Sequence, residues 1–420
     1  MQVLKRFAMF FLVLILMGCN NRLTDNRIEL SDQQYDIIDY DVVEDVMSVE
    51  GQLKVGVLLP LTGKASGIGL GMQNSMFMAL DDLKNNKLVL KFYDTQSTEE
   101  GAAISADKAI EEGAQMILGP LMSNEVRGAS EVASSYDIPI VSFTTSPQVL
   151  KKGVYSMGLL NGEQVDNILS YAVSQNRKKI AILVPDNITG LNVIKSAIMS
   201  ALAKDITISK VVFYNPENID FSEQIKNISE EESFDAILIA DSGNRLKTLA
   251  SILAYNDIMY PDVLFMGTSA WDNTNLSKET MLYHGVYPMV SKSYSSYFTE
   301  KYNETFGEQP RGIYAFAYDG VLLASVLTDK KSENLNDTIT SSNGFIGING
   351  YFRILPTGQS RHNLEIMEVT KDGAKVIAKS PSKAQDYIEN EIDIRYVSYE
   401  KLPEFYGKSS SEVLNWLYNN

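Results

Sequence analysis

Cysteine occurs once in the 420 residues, at Cys19. No disulfide can form within the chain, so the fold has to rest on its packed core. Histidine is nearly as scarce: His284 and His362 lie far apart, and neither belongs to a metal-spaced cluster. No G-x-S-x-G elbow or histidine-centred triad can be assembled around them. Basic residues are in deficit, with 37 Lys and Arg against 53 Asp and Glu, a net charge of −16 and a pI near 4.7. That balance argues against nucleic acid and anionic lipid surfaces as partners. Adjacent acids such as Asp81–Asp82 and Glu99–Glu100 fall at helix faces or starts, where a carboxylate suits solvent and the helix dipole. The chain therefore reads as non-enzymatic, with no cofactor and no metal.

Long apolar runs are also lacking. The one at the N-terminus, "AMFFLVLILMG", is too short to span a bilayer comfortably and follows a start charged by Lys5 and Arg6. This is the pattern of a secretory signal over residues 1–19. The stretch "LMGC" resembles the bacterial lipobox, with Met17 in place of the usual small or β-branched residue. The resemblance implies lipidation at Cys19 and attachment to the periplasmic face of a membrane. Asn20, rather than an aspartate, points to the outer membrane. The alternative is an ordinary signal peptide or membrane anchor with an incidental cysteine. Residues 20–51 are acidic and polar without a sustained period, as a tether would be.

Beyond the tether, apolar runs of strand length alternate with segments of helical period. "LKVGVLLPL", "KLVLKFYDT", "AQMILGPL" and "IPIVSFTT" are separated by helical patterns. The rhythm restarts at "KKIAILVPD" and continues through "ISKVVFYN", "FDAILIAD" and "DVLFMGTS". Continuous apolar strands followed by helices predict parallel sheets with right-handed crossovers. Two such series predict a two-lobed α/β fold, each lobe a mainly parallel sheet flanked by helices, with the strand-end loops facing a cleft. Residues 381–420 break the pattern and end in "SSEVLNWLYNN", either a strap on the body or a partner-docking segment.

The loop in "GVLLPLTGKASGIGLGMQNS" has the look of a phosphate cradle but not its spacing. Gly67 and Gly69 fit a dinucleotide fingerprint, yet Met72 stands where the third glycine belongs, and Asp94 is a poor ribose partner. The G-x-x-x-x-G-K pattern is absent, since Lys64 directly follows Gly63. A strand-end loop running into a helix N-terminus can still receive a carboxylate.

That loop also opens a family resemblance. "LLPLTGKASGIG", "AQMILGPLMSNEVRGASEVASSYDIPIVSFTTSPQVL", "KKIAILVPDNITG", "FDAILIADSG" and "VLFMGTSAWDN" resemble, in order, the leucine/isoleucine/valine-binding proteins, the type I periplasmic binding proteins. The resemblance runs from residue 53 to about 380. It implies a leucine-binding-protein-like domain over 52–380, with lobe 1 at about 52–165 plus a return segment of about 285–330. Lobe 2 then takes about 166–284 and about 331–380. It also implies a small-molecule ligand in the interlobe cleft. Ser123 falls on the serine that binds the ligand carboxylate, and Thr144 and Ser146 fall on the next two contact positions. Small hydroxyls near helix N-termini suit that task, and equally suit helix capping.

The second lobe departs from the family pattern. Ser269 stands where an acid would pair with the ligand ammonium, Thr189 replaces the expected tyrosine, and Ile68 replaces the expected aromatic of the first loop. Trp271 is either a cleft aromatic or simple packing. "GTSAWDN" and "GFIGINGYFRILPTGQSRHNLEIMEVTKDGAKVI" resemble instead a lipoprotein branch of the same fold, the penicillin-binding-protein activators. That resemblance implies regulation of peptidoglycan synthesis through contacts with a synthase. The alternative is the solute-binding component of an ABC importer for branched-chain or related amino acids, working with an ABC permease.

Overall fold

An interior strand of a parallel sheet must be apolar on both faces, and the continuous runs of the sequence become just such strands. In the computed structural model the described residues are 51–379, apart from 219, 230–232, 292–294 and 330–333. The signal segment 1–19, residues 20–50 of the tether and the extension 381–420 lie outside them, and Cys19 with them.

The first series comprises β1 (Leu53–Leu59), α1 (Ser66–Leu83), β2 (Leu88–Asp94), α2 (Glu99–Glu111), β3 (Met116–Leu118), α3 (Ser123–Ser134), β4 (Ile140–Ser142) and β5 (Val154–Ser156). Its five strands form an all-parallel sheet in the order β2-β1-β3-β4-β5. The second series is α4 (Asn161–Ser174), β6 (Lys179–Pro185), α5 (Ile188–Lys204), β7 (Thr207–Tyr214), α6 (Ser222–Ser229), β8 (Ala236–Ile239), α7 (Gly243–Tyr255), β9 (Leu264–Met266) and β10 (Val286–Val290). These strands repeat the same order as β7-β6-β8-β9-β10, again parallel. The topology is thus built twice, once per lobe.

The return differs from the expected boundaries. Residues 286–290, assigned above to the first lobe, run as β10 in the second sheet. The chain then crosses to α8 (Ser295–Phe306), α9 (Gly312–Asp329) and α10 (Leu335–Ile339). The helices α8 and α9 share the hydrophobic core of α1 and β1. Residues 345–362 form a separate antiparallel sheet of β11 (Phe345–Gly347), β12 (Gly350–Ile354) and β13 (Ser360–His362). Only then does the chain re-enter the second sheet as β14 (Leu364–Thr370), antiparallel to β10, and finish on the edge strand β15 (Gly373–Ala378). Period and propensity place strands, but a return path is fixed by contacts far apart in sequence.

Local chemistry sets the element ends. Asn187 caps α5 by accepting the N–H groups of Thr189 and Gly190 at 3.0 and 3.1 Å, and Thr98 caps α2 through Gly101 at 2.9 Å. Of the glycines in this region, Gly71 serves packing, while a Cβ on Gly67 would meet nothing. A Cβ on Gly71 would stand 2.1 Å from the ring of Tyr314, so only glycine lets α1 lie this close to α9. Among the described residues no helix is long and apolar enough to cross a membrane.

Three crossovers join the lobes side by side. Ser360 donates to the Gly158 carbonyl at 2.8 Å, and the His362 N–H donates to Glu163 Oε2 at 2.9 Å. His362 Nδ1 also lies 2.8 Å from Glu163 Oε1. Ser291, at the end of β10, reaches Glu365 of β14 at 3.2 Å. Asp319 of α9 packs beneath this layer and accepts the N–H groups of Ile348 and Asn349 at 2.5 and 3.1 Å. Burial pushes its carboxyl up to about 6, against those bonds and the pull of His362.

Candidate functional site

Parallel strands deliver their loops to one edge, and in both lobes the residues singled out in the sequence sit at or just beyond the C-terminal strand ends. In the first lobe the loop after β1 is organised by Asp94. Its carboxylate accepts the Leu61 and Thr62 N–H groups at 2.9 and 3.0 Å and the Thr62 hydroxyl at 2.6 Å. Burial works against ionisation there, but the bonds from Thr62, Gln96 and Leu61 outweigh it and hold the carboxyl below its usual range. Asp94 is thus an organiser of the loop, not a partner for a ribose. Ile68, on the first turn of α1, is half-buried and packs against the first-lobe core.

Ser123 is the first residue of α3 and is half-buried. Behind it Glu125, fully buried, accepts the Met122 N–H at 2.8 Å and the Thr95 hydroxyl at 2.5 Å. Burial raises the Glu125 carboxyl despite these donors. Glu125, not Ser123, does the capping of α3, which leaves the serine hydroxyl outside the cap. Thr144 is buried just past β4; its hydroxyl accepts the Ser146 N–H at 3.2 Å, and its carbonyl accepts from Ser156 at 2.5 Å. Ser146 donates to Gln148 Oε1 at 2.5 Å, and Gln148 Nε2 donates to Asn192 Oδ1 at 2.8 Å. Because Asn192 is on α5, this short chain of amides joins the strand-end loop of one lobe to the helix of the other.

The second-lobe residues divide. Thr189 is exposed on the first turn of α5, one turn before Asn192. Ser269 is half-buried and gives its N–H to Gln164 Oε1 at 2.7 Å, a contact with the N-terminal part of α4. Trp271 is not a cleft aromatic. It is fully buried in the second-lobe core, packs near Tyr287 and donates its indole N–H to the Ile239 carbonyl at 3.3 Å. Gly267 exists to admit it, since a Cβ there would stand 2.1 Å from the indole. Asp241 is engaged by Arg245 at 2.8 and 3.3 Å and by the hydroxyl of Tyr214. Asp272 accepts the Tyr287 hydroxyl at 2.9 Å.

The structure therefore brings Thr144 and Ser146 together with Gln148 and Asn192 across the lobes. It sends Trp271 to the core and Ile68 to the packing of α1. Gln148 and Asn192 carry the bond between the lobes and Gln164 holds Ser269 within the second lobe, yet nothing in their local sequence marks them. Among the described residues, no group of three His, Cys, Asp or Glu side chains is placed to hold a metal ion.

Two repeats of one α/β topology, three adjacent crossovers and polar strand-end loops define a two-lobed binding protein of type I architecture. The chain belongs to the periplasmic binding protein family, whose model matches residues 52–374. Membership implies a periplasmic location. The uncharacterized protein RP748 of Rickettsia prowazekii (strain Madrid E) is 25% identical over 215 residues, which is 49% of this chain and 57% of RP748. The chain thus matches little more than half of that relative's length. A putative branched-chain amino acid ABC transporter protein from Rhodospirillum rubrum superposes with a TM-score of 0.68 at 18% identity, over 78% of this chain and 100% of that one. A solute-binding protein of an ABC transporter from R. palustris, solved with 4-hydroxybenzoate, gives 0.59 at 14%, over 79% and 98%. At these identities the likeness is one of fold.

Proposed function

We propose that the chain is the solute-capturing component of an ABC importer and takes a small carboxylate-bearing molecule between its lobes. The observation that carries this reading is the Ser146–Gln148–Asn192 chain, which joins the two walls at the position of the candidate contacts. Ser123, at a helix start and outside the cap, supplies a hydroxyl for the carboxylate, and Thr144 lines the same edge. Closure about the three crossovers would follow from tighter binding to the closed state than to the open one. The chain does no chemistry in this reading; it hands its solute to an ABC permease. Anchoring through a lipid on Cys19, at the periplasmic face and in the outer membrane, belongs to the same proposal.

The alternative, activation of a peptidoglycan synthase, rests on the resemblance of residues 267–273 and 344–377. Residues 344–377 lie in the framework strands β11 to β15 and their turns, and 267–273 carry the buried Trp271. The R. palustris protein is the solute-binding protein of an ABC transporter, which favours solute capture.

A thermal-shift and calorimetry screen of amino acids, aromatic acids and muropeptides tests the reading. A ligand at a hundredfold excess over its Kd adds about 2.7 kcal/mol of stability. Ser123→Ala should weaken binding by roughly tenfold or more, the worth of a hydrogen bond to a charged group. No shift with any compound, alongside capture of a peptidoglycan synthase, would overturn the importer reading.

A further inference from the structure

Ionisable side chains are seldom sealed inside a protein, yet the place where the lobes join encloses several. Glu163 lies in the first turn of α4, just past the first crossover, and His362 ends β13, just before the third. Both are buried, as are Asp319 of α9 and Glu365 of β14. Glu163 Oε1 faces His362 Nδ1 at 2.8 Å while its Oε2 accepts the His362 N–H at 2.9 Å, so one carboxylate ties the first crossover to the third. Glu365 ties the second to the third through Ser291 at 3.2 Å.

The imidazole of His362 is walled by Phe316 of α9, edge-on at 5.5 Å, and by Phe352 of β12, stacked at 6.0 Å. Arg353 and Arg361 neighbour Phe352 and His362, but side chains alternate along a strand, and these two stand on the opposite, half-buried face. From beneath, Asp319 accepts the Ile348 N–H at 2.5 Å and the backbone and side-chain N–H groups of Asn349 at 3.1 and 2.9 Å. Burial pushes its carboxyl up to about 6, against those bonds and the positive charge of His362. In acid, Asp319 is therefore neutral and a protonated imidazole answers Glu163. As pH rises through about 6, Asp319 becomes a carboxylate, and histidine ordinarily sheds its charge in the same range. The enclosed set gains negative charge at each step, and charge kept from water is expensive. Parting the crossovers at the Glu163–His362 contact admits water and relieves that cost.

We propose that Glu163, His362 and Asp319 form a proton-operated lock on the hinge: with protons bound the lobes are held together, and as the protons leave the lobes part more readily. The lock rests on closure about the three crossovers and stands whichever solute the cleft takes. It makes the open and closed populations, and capture with them, respond to acidity.

X-ray scattering of the full-length chain without added solute, from about pH 5 to 8, reads the lobes directly. The radius of gyration should rise with pH, half-complete near 6. His362→Asn can still offer Glu163 an N–H but removes the charge that holds the Asp319 carboxyl down, so the midpoint should move upward. Asp319→Asn should shrink the rise. The chain has two histidines, and His284→Asn leaves one, so the ring signals of His362 can be followed by NMR over the same range. They should shift with the scattering midpoint. A radius that does not change with pH, a rise that both hinge variants leave untouched, or ring signals that move apart from it overturns the lock and leaves solute capture standing. If Asp319→Asn does not fold, the midpoint of His362→Asn decides alone: an upward move supports the lock, and an unmoved midpoint overturns it.

Discussion

The two lobes repeat one topology but spend their strand-end residues differently. In the first lobe, capping of α3 falls to Glu125 and ordering of the β1 loop falls to Asp94, so the hydroxyl of Ser123 stays outside the cap, while Thr144 is buried and accepts the Ser146 N–H. In the second, the loop after β9 is turned inward to place Trp271 in the core, and Asp241 is bound to Arg245. The same fold position is an open polar loop in one lobe and a packing loop in the other. Position at a strand end therefore makes a residue eligible for a site, and the partners it already has decide whether it serves.

Trp271 gives the sharpest way to break this contrast. Truncating a fully buried indole that Gly267 is shaped to admit leaves a large cavity. Trp271→Ala should cost about 3–5 kcal/mol, read as a drop in the denaturant midpoint at unchanged slope. A loss below about 1 kcal/mol coupled to a loss of ligand affinity would return Trp271 to the cleft.

Asp319 packs beneath the layer where the lobes join, bonded to Ile348 and Asn349. Its carboxyl takes up a proton in the folded state at about 6, against an ordinary value of 3.8. Between these values the folded state holds more protons than the unfolded one. This group's stabilisation is complete below about pH 4 and lost as pH rises through 6, a span worth on the order of 2–3 kcal/mol. Unfolding free energies of the wild type and Asp319→Asn, taken across pH 4–7, should differ by a term that falls in that direction. Parallel curves would show that Asp319 titrates normally and that the layer is indifferent to it.

How far these contrasts can be read from sequence follows from range. The strands β1 and β6 were legible because burial on both faces writes a continuous apolar run, and the alternation with helices was legible because each period is local. The second-sheet membership of β10 was not, since Val290 pairs with Leu364, far along the chain. Ser123, Thr144 and Ser146 could be picked out by pattern at strand ends. Gln148 with Asn192 and Gln164 with Ser269 could not, because the partners stand 44 and 105 residues apart. Trp271 shows the converse limit: a conspicuous residue in the right loop, claimed by a core that only the fold reveals.

The smallest expected effect bears on what joins the lobes. Gln148 donates to Asn192 near the surface, where a neutral hydrogen bond contributes about 0.5–1.5 kcal/mol. If that bond belongs to the closed arrangement, Asn192→Ala shifts the population toward open lobes. It should then weaken ligand binding by about threefold to tenfold with little change in the unfolding midpoint. Scattering should record a larger radius of gyration for the ligand-free variant. Gln148→Ala should do the same, and the double variant should do no more than either, because each single change already removes the whole contact. Additive losses would mean that the two side chains act separately, each on its own lobe, and the amide chain would then be a neighbourly contact and not a latch.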